Sequence, residues 1–205
     1  MDDVTETTFA RGYAHLVAAQ PFGAEASLVT VEADLTRGLH AFSIIGLPDT
    51  AVQEARDRIA AAIRHAGFAS PKATNRRIIL SLSPADLKKE GAHYDLPLAL
   101  CYLAATGDVP LPRERALFSG ELGLDGTLRP VRGCLAQVLR ARKENIKSVF
   151  IPYENRHEAA ITESVTVYAA RTLREVVMHL KGEALMRPCA ERPSQPPEAA
   201  GIDPR

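Results

Sequence analysis

Apolar positions along the chain change period several times, and each change marks an element. Tyr13 to Ala18 and Ser27 to Leu35 have the composition and alternation of strands, with Pro21-Phe22-Gly23 supplying turn chemistry between them. In the second run Val29, Val31, Ala33 and Leu35 recur every second residue, so they share one face. Thr36-Arg37-Gly38 makes the next turn, and Ala41 to Ile45 forms a third strand closed by Gly46-Leu47-Pro48. The period then switches to that of a helix: Val52, Ala55, Ile59, Ile63 and Ala66 fall on one stripe. Thr50 and Gln53 match a capping box at its start, Glu54 precedes Arg58 by one turn, and Gly67 suits the position just past its end.

The second half repeats the alternation. Arg76 to Leu82 is a strand with Ile78, Leu80 and Leu82 on one face. Leu96 to Ala105 is apolar nearly all round, which predicts a deeply buried helix, stopped by Gly107 and Pro110. Ala116 to Leu122 and Thr127 to Val131 flank Asp125-Gly126, the pattern of a hairpin. A helix from Leu135 to Lys143, a strand from Ser148 to Ile151, a short helix from Asn155 to Ala160, a strand from Val165 to Ala169 and a helix from Leu173 to Leu180 follow. This order predicts an α/β or α+β fold, with helices packed on a mixed sheet.

Composition changes that picture little inside the domain and more at its ends. Of 205 residues 46% are hydrophobic and 24% charged, enough apolar material for a core without disulfide or metal staples. Net charge is zero, so any nucleic-acid contact must come from a local patch. Cys101, Cys134 and Cys189 are odd in number and widely spaced, which reads as reduced thiols, two in the core and one in a tail. The acidic N-terminus has no apolar signal region, and no run approaches the roughly 18 apolar residues of a membrane span, so a cytoplasmic protein with no membrane partner is expected. From Glu183 onward Pro188, Pro193, Pro196, Pro197 and Pro204 break a segment poor in large apolar side chains. The division read from this is an N-terminal arm over 1–10, a domain over 11–182 and a proline-rich tail or linker over 183–205.

Three stretches carry a family resemblance. They are Phe42 to Arg58 (FSIIGLPDTAVQEARDR), Leu82 to Pro97 (LSPADLKKEGAHYDLP) and Gly120 to Gly133 (GELGLDGTLRPVRG). Together they resemble the front end of the ComM/YifB proteins, the magnesium-chelatase-like family linked to natural transformation. The resemblance implies a domain related to the proteolytic domain of Lon and to the C-terminal domain of the RadA recombination protein. It implies that in complete proteins this domain precedes an AAA+ ATPase that assembles into a ring, known members acting as helicases that promote branch migration. The partners implied are an AAA+ domain, neighbouring subunits in a homo-oligomer, and DNA.

Two departures bear on chemistry. A phosphate-cradling loop needs G-x-x-x-x-G-K-[ST], and no such string occurs. ATP and magnesium are therefore expected only in an attached or separate AAA+ domain, and the chain reads as a fragment, a truncated frame or a free-standing version of the domain. Lon's peptidase site uses a serine activated by a lysine. Ungapped placement on the Lon motifs puts His93 at the serine position and Leu135 at the lysine position, and neither can do that work. No enzyme activity is expected of this chain alone; the alternative is a divergent peptidase or hydrolase of the Lon superfamily.

The remaining candidates are weighed by residue. Asp95 suits an N-cap of the helix at Leu96 and Pro97 better than an acid–base role with His93 and Tyr94. His40, His65 and His157 lack metal-ligand spacing, and no metal is expected. Ser81, Ser83 and Ser119 have no neighbouring base. Lys72, Arg76, Arg77, Lys88 and Lys89 face only Asp86 and Glu90 between residues 70 and 90. These five form either a solvated rim or a surface for DNA phosphates or an adjoining subunit.

Overall fold

The computed structural model describes residues 12–159 and 164–189; the arm over 1–10 and the tail from 190 lie outside the described residues. Among the described residues, nine strands and five helices alternate in an α/β architecture. The strands are β1 (Tyr13–Phe22), β2 (Glu25–Arg37), β3 (Ala41–Ile45), β4 (Arg76–Ser83), β5 (Ala116–Phe118), β6 (Glu121–Leu122), β7 (Leu128–Arg129), β8 (Ser148–Pro152) and β9 (Thr166–Ala170). The helices are α1 (Thr50–His65), α2 (Asp95–Thr106), α3 (Cys134–Lys143), α4 (Arg156–Ala159) and α5 (Leu173–Leu180). Seven strands form one mixed sheet in the order β3-β4-β2-β1-β5-β8-β9. β1, β2 and β4 pair antiparallel, while β3 on β4 and the β1-β5-β8-β9 side are parallel.

Helices cover both faces. One core joins the sheet to α1, α2 and α5, and a second joins the opposite face to α3 and α4. Every parallel strand from β1 to β9 feeds both by simple alternation: Leu16 and Ala18 face the first core, Val17 and Ala19 the second. The apolar helix α2 is buried on almost every side, as its composition requires.

Several expectations need correction. β1 and β2 run to a two-residue turn at Gly23-Ala24, with Gly23 at φ 59°. The stretch Ala116 to Leu122 is not one hairpin arm. Its first three residues are a central strand between β1 and β8, and only Glu121–Leu122 pairs with β7. The chain leaves the sheet at Gly120, where a Cβ would lie 2.7 Å from Leu128 Cδ2. Helix α1 is capped by Asp49 rather than Thr50, the carboxylate accepting from Val52 N at 2.8 Å. Residues 183–189, placed in the tail by composition, are tied to the domain: Met186 N donates to His179 Nδ1 and Cys189 N to the Val167 carbonyl.

Candidate functional site

The three signature stretches meet at one corner of the sheet. Gly46 has φ 102°, and a Cβ there would lie 2.0 Å from the Leu82 carbonyl oxygen, so no other residue fits. The tight approach lets Pro48 and Lys89 form a bridge, with Asp49 N donating to the Lys89 carbonyl and Lys89 N to that of Leu47. Asp49 then works with both oxygens: one caps α1 and the other accepts from Gly91 N at 3.1 Å. The third stretch joins through Gly120, whose N–H donates to the His93 carbonyl while its own carbonyl accepts from Leu96 N.

Asp95 lies at the centre of this corner and is not an N-cap. Its backbone is helical, the cap position is Tyr94, and its side chain is wholly buried. The carboxylate takes a two-pronged contact from Arg58, Nε to Oδ2 at 2.7 Å and Nη2 to Oδ1 at 3.0 Å, and a bond from Leu122 N at 3.1 Å. Burial pushes the Asp95 carboxyl up to about 6 against the opposing pull of Arg58, whose guanidinium is held more firmly charged by the same contact. The expected Glu54–Arg58 surface pair is therefore replaced: Arg58 turns inward, and Glu54 contributes only a distant favourable field.

His93 is also buried, and desolvation lowers its imidazole to about 4 despite a hydrogen bond with the Ala19 backbone. It is neutral at ordinary pH, and its Nε2 finds no hydrogen-bond partner among the described residues. Tyr94 donates to Gln20 Oε1 at 2.9 Å, which also receives the Glu90 N–H at 2.8 Å. Leu135 is half-buried in the first turn of α3, just after Gly133 at φ 72°. Ser119 is wholly buried, and the Cys101 and Cys134 thiols are pushed up by burial.

The five basic residues do not form one patch. Lys72 pairs with Asp57 at 2.7 Å and Lys88 with Glu90 at 2.5 Å, both on the surface. Lys89 is wholly buried, its ammonium against the Pro84 carbonyl and pushed down by desolvation, so it is not available to a phosphate. Arg76 and Arg77 keep unpaired guanidiniums among the described residues. Adjacent on β4, they project to opposite faces of the sheet, Arg76 with Ile78 and Arg77 with Ile79.

Sequence reasoning missed Asp49, Arg58 and Gln20 as builders of this corner. Asp49 had a local signal, since aspartate ranks with the best N-caps. Gln20 had none, because its partners are 70 and 74 residues away.

An α/β domain with a mixed sheet, whose signature loops are stitched into a closed corner, is the class that fold and site define. A family model described as subunit ChlI of Mg-chelatase matches residues 31–155. An uncharacterised protein of Mycobacterium tuberculosis is 42% identical over 161 residues, covering 78% of this chain and 31% of that protein. Competence protein ComM of Haemophilus influenzae is 38% identical over 162 residues, 78% of this chain and 31% of ComM. The uncharacterised protein YifB of Escherichia coli is 36% identical over 168 residues, 81% of this chain and 32% of YifB. The chain belongs to the ComM/YifB group of the magnesium-chelatase-like family. It spans about a third of the length of these curated relatives. Among the described residues no helix is long and apolar enough to cross a membrane.

Proposed function

We propose that this chain is a non-catalytic module of a ComM/YifB-type protein, supporting assembly of an AAA+ ring and its engagement with DNA in recombination and transformation. The observation that carries the reading is the closed corner at Gly91–Asp95. Where the resemblance to Lon calls for an exposed serine, a neutral imidazole is packed inside, and the neighbouring carboxylate is fully engaged by Arg58 and Leu122 N. A catalytic acid or base needs access to a substrate proton, and a residue with this burial serves packing instead. ATP and magnesium then belong to an attached or separate AAA+ domain, and the present chain offers surfaces to that domain, to neighbouring subunits and to DNA. Arg76 and Arg77 are what remains of the basic stretch for such contacts.

Deleting this domain from a full-length relative tests the reading. Ring assembly or binding of branched DNA should fall, while nucleotide binding per subunit stays within about twofold. Unchanged assembly and DNA binding would overturn it. A serine-reactive probe separates the hydrolase alternative: no labelling is expected, and labelling of one serine that disappears on its replacement would revive peptidase chemistry.

A further inference from the structure

The strand register sets two arginines directly opposite each other without a counter-charge. Arg37 ends β2, Arg76 begins β4, and the two are partners in the antiparallel ladder. They share the face that carries Leu35 and Ile78 into the first core, so both reach toward the C-terminal end of α2. Like charges at directly opposed positions repel. Among the described residues neither guanidinium has an ion pair or a hydrogen bond.

Both line a cavity of about 360 Å³ completed by Gly12, Thr106 and Gly107. Several carbonyls in and around its wall are already engaged. The Leu103 carbonyl receives Asp108 N, Val109 N and the Thr106 hydroxyl; that of Ala104 receives Gly107 N. The Ala105 carbonyl receives Gly12 N, and that of Gly12 receives Leu35 N. Asp108, just past the wall, accepts from Thr106 Oγ1 at 2.6 Å and pairs with neither arginine. What the cavity offers is therefore two free guanidinium forks, each a geometric match to an oxyanion. The C-terminus of α2 opposes an anion with roughly half a negative charge, which two formal positive charges outweigh.

We propose that Arg37 and Arg76 form a cleft for a phosphate-class oxyanion, supplied by a free phosphate compound or by the backbone of a nucleic-acid strand. The second source rests on the DNA-engagement reading above; the first does not.

The test uses the full chain with two probes: sodium pyrophosphate, read by calorimetry and by thermal shift against chloride at matched ionic strength, and a labelled single-stranded oligonucleotide, read by anisotropy. Arg37→Gln and Arg76→Gln should each weaken pyrophosphate binding about tenfold. Arg64→Gln, the same charge change at the end of α1, should leave it within about twofold. Circular dichroism checks that each variant folds. Oligonucleotide binding that falls with the same two variants assigns the backbone as a ligand. Pyrophosphate binding without oligonucleotide binding keeps the cleft for free phosphates and removes the DNA reading. Oligonucleotide binding indifferent to Arg37 and Arg76 removes the nucleic-acid source from the cleft; if pyrophosphate binding is indifferent to them as well, the cleft is overturned while the DNA-engagement reading stands. Absence of binding to both probes, or an equal loss in Arg64→Gln, also overturns it.

Discussion

His93 is held by a backbone acceptor and buried, and the field of Asp49 is too weak to offset desolvation, so protonating it places a poorly compensated charge in the interior. Its folded value of about 4 lies below an ordinary value of roughly 6.5. A depressed histidine contributes stability that is complete above the unfolded value and lost as pH falls through the window from about 6.5 to 4. The full loss is on the order of 3 kcal/mol. Asp95, raised to about 6, acts the other way: its neutral form is favoured in the fold, so its contribution is lost as pH rises from about 4 to 6. The two are separated by difference. Urea unfolding of wild type and His93→Gln at pH 7 and pH 4.5 should show an acid-induced loss larger in wild type by about 2 kcal/mol; equal losses would refute the buried-neutral assignment. At the same corner Asp95→Ala leaves Arg58 and Leu122 N without their acceptor, at a cost of about 3 kcal/mol or more in the same assay.

Among the elements, α1 is tied to a second signature stretch through a single residue. Asp49 caps it and also fixes Gly91, linking two signature stretches. Asp49→Ala should cost about 2 kcal/mol, the sum of a lost cap and a lost loop contact, whereas Asp49→Asn, which keeps an acceptor oxygen, should cost less than half of that. Equilibrium unfolding distinguishes the two. The elements readable from the chain were those whose signal is local: the helical stripe of α1, the all-apolar α2, and the alternation in β2 and β4. The unreadable ones were decided by distant partners. Ala116 to Phe118 is a short apolar run that fits a hairpin or a central strand equally, and only β1 and β8 on either side settle it. Asp95 looked like a cap because the sequence does not show Arg58, 37 residues earlier, turned toward it. The basic stretch failed as a patch because Lys72 pairs with Asp57 outside it, Lys88 with Glu90 inside it, Lys89 is buried against the Pro84 carbonyl, and Arg76 and Arg77 project to opposite faces. Arg37, which joins Arg76, sits in a segment that reads only as a turn.

At the scale of the whole molecule, the sheet is shared by two cores, and this determines how the domain comes apart. Leu117 and Phe118 are adjacent in β5 and face opposite cores; Val149 and Phe150 do the same in β8, and Val167 and Ala170 divide likewise in β9. Loss of either helical layer exposes one face of the same strands, whose ladder the other layer also needs. The two cores therefore should not unfold independently. Ile63→Ala on α1 empties part of the first core, and Ile146→Ala, just past α3, empties part of the second. Each should cost about 2–5 kcal/mol. Both should move one transition, with far-UV circular dichroism and the emission of the five tyrosines superimposing, since the chain has no tryptophan. A biphasic curve in Ile146→Ala, with the first core surviving the loss of the second, would show that α3 and α4 are docked on a sheet stable without them.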